Sequence, residues 1–191
     1  GHGLMFRKVL IANRGEIALR ILRACRALGV EAVVAYSEAD RESLPVGLAD
    51  EAICIGPADA SRSYLSAPAV ISAALVTGCD AIHPGYGFLS EDEGFAEVVA
   101  AHGLTFIGPP ANVLERFASK AGTRQLLGAH GLPTIPGSEG MLRDDQHALA
   151  EAERIGYPVL VKPSAGGGGK GMRMVRTPRE LESVLKVCRS E

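Results

Sequence analysis

The chain has 191 residues, of which 47% are hydrophobic and 22% charged, and its formal net charge is −2. That is apolar material for one sizeable domain or two small ones, in the charge balance of an ordinary soluble protein. No basic field points to nucleic acid, no apolar run approaches a membrane span, and no signal-peptide pattern opens the chain.

Residues 1–4, "GHGL" ahead of Met5, are expected to be an appended leader outside the fold. Strands and helices then alternate. "KVLIA" (8–12) is a buried strand candidate, and residues 15–29 carry a helical stripe of Ile17, Ile21, Leu22, Cys25 and Leu28 closed by Gly29. "AVVAY" (32–36) and "EAICIG" (51–56) follow as strands, residues 67–78 as a helix, "DAIH" (80–83) as a strand, a helix near 92–102, and "TFIG" (105–108) as a strand. This alternation predicts an α/β domain with a parallel sheet covered on both faces. Cys25, Cys54, Cys79 and Cys188 are widely spaced in apolar runs and form no metal-type pair, so reduced, buried thiols are expected.

The composition changes after "IGPP". Residues 117–131 read as a helix with Ser119 as its cap, and "LPTIPGSEG" (132–140) reads as a boundary. A helix around 144–155 comes next. Two strands, one from Val159 and one ending at Val175, then enclose "KPSAGGGGKG". A last helix over 177–191 has Thr177 as cap, Pro178 in the first turn and Glu180 in the capping-box position.

Three loops invite a chemical reading. The turn "ANRGEIA" has Gly15 but no second glycine two residues on, so the dinucleotide fingerprint fails, although Glu38 and Asp40 follow the second strand where a ribose-binding acid would sit. The glycine run is no P-loop either: Ser164 stands where a glycine is required, and Gly171 where Ser or Thr is required. A glycine hairpin over phosphates remains, with backbone N–H groups forming a nest and Lys162, Lys170 and Arg173 supplying charge; a bare surface hairpin is the alternative. "HPGYGFLSED" (83–92) follows a strand, at the sheet edge where open α/β folds place ligands. His83, Tyr86, Glu91 and Asp92 are its polar groups, with Asn13, Arg14 and Glu16 on the same edge. In a purely structural account Ser90 caps the next helix and Glu91 and Asp92 complement its dipole.

Taken together, "KVLIANRGEIALRI", "YSEAD", "LADEAICIG", "SYL", "AIHPGYGFLSE", "FIGP" and "VKPSAGGGGKGMR" resemble, in order, the motifs of the biotin carboxylase family within the ATP-grasp superfamily. The resemblance runs from about Met5 to the last residue. It implies a Rossmann-like sheet domain over 5–118, a connecting helix and linker over 119–134, and an incomplete ATP-grasp small lobe over 135–191 whose glycine-rich flap closes on ATP. The family is an ATP-dependent ligase that makes carboxyphosphate from bicarbonate and ATP and carboxylates biotin on a carrier protein. By this resemblance Lys120, Lys162, Gly168, Gly169 and Met172 face ATP, and Tyr86 and Gly87 border the biotin and bicarbonate side. It also implies ATP with Mg2+ as cofactor, a biotin carboxyl carrier protein and a carboxyltransferase as partners, a homodimer, a cytoplasmic setting, and a place in acetyl-CoA carboxylation for fatty acid biosynthesis.

Two departures are local: "ASK" (118–120) replaces the family's Gly-Asp-Lys, and Asp92 stands where the family has Asn. A third is length. The family's magnesium-binding glutamates and its bicarbonate- and biotin-side arginines come later than residue 191, so the chain is expected to be the N-terminal part of a longer protein and inactive alone. Another ATP-grasp ligase, of the carbamoyl phosphate or ribonucleotide synthetase kind, and a non-catalytic self-associating module are the competing readings.

Overall fold

The computed structural model describes residues 6–138, 140–162 and 171–188. The chain divides into two compact units, Gly1–Leu114 and Glu115–Glu191.

The first unit is built on five parallel strands: β1 (Lys8–Ile11), β2 (Glu31–Ser37), β3 (Glu51–Gly56), β4 (Ala81–His83) and β5 (Thr105–Phe106), in the spatial order β3-β2-β1-β4-β5. Period-2 alternation sends neighbouring residues of the central strands to opposite faces. Val9, Ile11, Ala32 and Val34 face α1 (Gly15–Leu28) and α2 (Leu44–Leu48), whereas Leu10, Val33, Ala35 and Ile82 face α3 (Ala67–Val76) and α4 (Glu93–Ala101). Helix α1 buries Ala18, Ile21, Leu22 and Cys25, which are spaced three or four apart. Covering Ile21 and Leu22 contributes about 1.5–3 kcal/mol each. The helix stops at Gly29, which adopts φ 69°, while the N–H groups of Gly29 and Val30 close onto the carbonyls of Arg26 and Cys25.

The second unit holds α6 (Lys120–Ala129), α7 (Asp145–Ile155), the hairpin strands β6 (Val159–Val161) and β7 (Arg173–Val175), and α8 (Pro178–Cys188); α5 (Ala111–Ala118) spans the division. The hairpin is antiparallel, with Val159 opposite Val175 and Leu160 opposite Met174. One of its faces packs against Ala152, Leu181, Val184 and Leu185; on the other, Leu160 and Met174 are exposed.

Several sequence-based expectations are corrected. The helix expected over 117–131 runs over Lys120–Ala129, with residues 117–118 ending α5; Ser119 caps it as expected, extended (φ −94°, ψ 123°) with its hydroxyl accepting the Gly122 N–H. Ser90 does not cap α4. Turns from Ser90 N–H to the Gly87 carbonyl and from Asp92 N–H to the Leu89 carbonyl intervene, and the Asp92 carboxylate caps by accepting the Phe95 N–H at 2.7 Å. Helix α3 ends two residues early, at Val76, with the Thr77 hydroxyl returned to the Ala73 carbonyl at 2.7 Å. Strand β5 is two residues long rather than four. Cys25 and Cys79 are buried thiols as expected, but Cys54 is exposed because β3 lies at the sheet edge; the Cys188 side chain is outside the described residues. At α8 the Thr177 hydroxyl accepts the Glu180 N–H at 3.3 Å, and the Glu180 carboxylate reaches back to the N–H of Arg176, one residue before the expected partner.

Candidate functional site

Strand β1 lies between β2 and β4. The chain proceeds outward from β1 to β3 on one side and from β4 to β5 on the other, so the strand order reverses between β1 and β4. All five strands run the same way, and the loops after β1 and β4 therefore face each other at the carboxyl edge, across the switch point where such sheets bind ligands.

Asn13 joins the two loops. It is 3% exposed, and its Nδ2 donates to the carbonyls of Pro84 and Tyr86, both at 2.7 Å, while its Oδ1 accepts the Arg14 N–H at 2.8 Å. Only glycine fits above it. Gly85 has φ 67°, and a Cβ there would lie 2.9 Å from Asn13 Nδ2 and 3.0 Å from Ile17 Cγ1. The Gly85 N–H donates to His83 Nδ1 at 3.0 Å, which requires that nitrogen to be unprotonated, and burial lowers the imidazole pKa in the same sense.

Tyr86 then projects into solvent, 61% exposed, and its hydroxyl donates to the Glu16 carboxylate in the first turn of α1. That bond to an anion, reinforced by a little desolvation, raises the phenol pKa. Gly87 has φ 70° and open space around it. Beyond it the chain is held again. Phe88, at φ 43°, stacks on Tyr64 with ring centroids 5.0 Å apart, and Leu89 is buried.

A second network lies beside the first. Arg14 donates twice to Asp40, Nε to Oδ2 at 2.8 Å and Nη2 to Oδ1 at 2.6 Å. The Tyr64 hydroxyl donates to Asp40 at 2.6 Å and accepts the buried Ser37 N–H at 3.0 Å. The Arg14 guanidinium holds the Asp40 carboxyl down to about 2 against the effect of burial, with help from Tyr64 and Ser37. Burial, then the hydrogen bond to the Asp40 carboxylate, pushes the Tyr64 phenol up. The acid after β2 is thus committed to an arginine, which agrees with the failed dinucleotide fingerprint; Glu38 is exposed.

The residues named from the sequence fall into separate groups. Tyr86 and Gly87 sit at the switch point with Asn13, Arg14 and Glu16. Lys162 follows β6 and Met172 precedes β7, both exposed at the glycine end of the hairpin. Lys120 opens α6, but its side chain lies outside the described residues, as do Gly168 and Gly169. Among the described residues, no group of three or more His, Cys, Asp or Glu side chains is placed to hold a metal, and no helix is long and apolar enough to cross a membrane. Sequence reasoning placed Asn13 on the same edge as Tyr86 without giving it a partner, and did not single out Tyr64 or Phe88. The available signal was an asparagine directly after a buried strand, where its amide faces carbonyls of the adjoining strand's loop.

An open parallel sheet with preset loops at its switch point defines a ligand-binding α/β domain. Residues 5–114 match the family described as biotin carboxylase, N-terminal domain, and residues 119–191 match the carbamoyl-phosphate synthase L chain, ATP binding domain. The chain belongs to the biotin carboxylase family, and its second region is part of an ATP-grasp domain. It is 53% identical over 188 residues to biotin carboxylase of Pseudomonas aeruginosa, covering 98% of this chain and 42% of that protein. Against the mitochondrial methylcrotonoyl-CoA carboxylase subunit alpha of Glycine max it is 53% identical over 183 residues, 95% of this chain and 25% of that protein. The biotin carboxylase domain dimer of the Hydrogenobacter thermophilus 2-oxoglutarate carboxylase, solved with MgADP, ADP and bicarbonate, superposes with TM-score 0.91 at 46% identity over 97% of this chain and 41% of that one. The chain therefore spans less than half the length of each of these relatives.

Proposed function

We propose that this chain is the N-terminal part of a biotin carboxylase. The intact protein uses ATP and bicarbonate to form carboxyphosphate and transfers the carboxyl group to biotin on a carrier protein. The observation that carries this reading is the preset loop at the switch point: Tyr86 and Gly87 held at the carboxyl edge by Asn13, inside a sheet whose family match is unbroken over 5–114. Tyr86 and Gly87 border the biotin and bicarbonate side. On the ATP side, Lys162 is an exposed point charge at the glycine end of β6, suited to phosphate oxygens, and Met172 offers an exposed apolar surface to the adenine. Lys120, Gly168 and Gly169 complete the nucleotide contacts. The segment 119–134 connects the sheet domain to the small lobe from 135 onward.

ATP is bound with Mg2+, but the described residues offer no fitting set of metal ligands. Residues 1–191, which cover 42% of the length of the Pseudomonas aeruginosa relative, are not expected to catalyse alone. The partners are a biotin carboxyl carrier protein and a carboxyltransferase, the assembly is a homodimer, the setting is cytoplasmic, and acetyl-CoA is the final acceptor. Methylcrotonoyl-CoA carboxylase among the relatives makes the acyl-CoA the point to test separately.

The experiment is ADP release by the intact protein. The rate is expected to require bicarbonate, to rise with free biotin and to ignore ammonia. Dependence on ammonia or glutamine in place of biotin would assign the chain to the carbamoyl phosphate branch of ATP-grasp ligases. An acyl-CoA panel with the complete assembly then reads the acceptor.

A further inference from the structure

Asn13 carries more hydrogen bonds than a turn requires. Both of its amide protons point at carbonyls of one loop, and its oxygen is occupied by the next N–H of its own loop. The amide cannot flip, because the flip would set its oxygen against two carbonyl oxygens. Asn13 is buried and so is its bond to the Pro84 carbonyl, which has no water as a substitute; the bond to the Tyr86 carbonyl is partly buried. Even a Cβ at Gly85 would lie 2.9 Å from the same nitrogen, so the backbone of this loop passes close over Asn13. The far end of the loop is fixed independently, by Phe88 on Tyr64 and by Leu89 in the core. Between these two holds only Tyr86 and Gly87 are left to present themselves, with the Tyr86 hydroxyl steered by Glu16.

We infer that Asn13 is a positioning residue for the biotin-side chemistry, fixing the backbone at Tyr86 and Gly87 through its two bonds to the Pro84 and Tyr86 carbonyls. The inference rests on the reading of this edge as the biotin and bicarbonate side. Asn13 itself touches no reacting atom. It acts by holding the loop in its binding conformation before substrate arrives, so that binding does not have to order it.

Asn13→Asp tests this with almost no change of shape. The carboxylate has no donor and faces two carbonyl oxygens, so the loop should be released. In the intact protein, amide exchange at Gly85 and Ser90, whose N–H groups bond within the loop, should quicken about tenfold or more, while Ala12 N–H, bonded to the His83 carbonyl, keeps its protection. The KM for free biotin should rise about tenfold while the KM for ATP is unchanged. Acidification should recover part of the biotin KM, because the new carboxyl sits in a site that raises its pKa and gains one donor when protonated. Asn13→Ala removes the donors without adding charge. It should show the same KM split and no recovery in acid, and it serves if the charged variant does not fold.

Three results would overturn the inference: unchanged exchange at Gly85 and Ser90, a loosened loop with both KM values intact, or a uniform loss of active protein with no split between substrates. Failure of the functional reading is seen separately, in the unaltered protein, as ATP cleavage that ignores biotin and bicarbonate, and it would take this inference with it.

Discussion

Arg14 and Asp40 are joined by two bonds, of 2.8 Å and 2.6 Å, that tie the loop after β1 to the turn after β2. The arginine side chain is 53% exposed and the aspartate only 11%. A largely buried carboxylate that loses its charge also loses the stronger part of its bonds to Arg14, Tyr64 and Ser37. Asp40→Asn should lower the unfolding free energy by about 1–3 kcal/mol, read from urea denaturation curves. A loss under about 0.5 kcal/mol would place the pair with ordinary surface ion pairs.

The same carboxylate sets an acid dependence. Its pKa is held near 2 in the folded chain, below the ordinary 3.8. Between those values the unfolded chain binds more protons than the folded one, so stability falls as pH falls. The Asp40 contribution is complete above about pH 4 and fades as pH approaches 2. The Tm difference between the unaltered protein and Asp40→Asn should narrow across that window; a difference independent of pH would remove the pair as its cause.

Much of this arrangement could be read from the sequence, and the parts that could not share a cause. Strands β1 and β2 read as short continuous apolar runs, α3 as an apolar run too long for a strand, and helices α1, α4 and α7 as period-3.6 stripes, signals that depend only on neighbours along the chain. Helix α2 has five residues, too few turns for a stripe to show, whereas α5 does carry one in Val113, Leu114 and Phe117 and was missed. Ser90 and Asp92 are both good caps. The choice between them falls to Leu89, which must reach the core before the helix can begin. Cys54 sits in a strand whose pattern does not reveal that it is an edge. At the site, the glycines and Tyr86 of "HPGYGF" were legible as a loop with a purpose. The hold of Asn13 on Pro84 and Tyr86 was not, because it spans about seventy residues and depends on β1 and β4 being neighbours.

Glycine substitutions separate conformation from crowding. Gly78 and Gly85 share nearly the same backbone, φ 68° and 67°, but a Cβ at Gly78 meets nothing within 4 Å and one at Gly85 meets Asn13 and Ile17. Gly78→Ala should cost about 1–2 kcal/mol for the left-handed conformation. Gly85→Ala should cost roughly 1–3 kcal/mol more, from overpacking against Asn13. Thermal or urea unfolding of the two variants side by side checks it, and equal losses would mean that the loop yields freely.

On the nucleotide side, Lys162→Gln keeps a polar side chain of similar length and removes its charge. In the intact protein, ATP use should fall about ten- to a hundredfold, the loss of one charge-assisted contact. Lys170→Gln should cost less. Steady-state kinetics in ATP decide this, and equal, negligible effects would return the glycine hairpin to a surface role.

The most direct measurement follows the carbon. The intact protein is supplied with ATP, Mg2+, radiolabelled bicarbonate and biotin, free or on its carrier protein, and the acid-labile label attached to biotin is counted. The account expects label on biotin only when ATP is present, in proportion to the ADP formed. ATP cleavage that leaves biotin unlabelled, with label appearing in carbamoyl phosphate once ammonia is added, would contradict it.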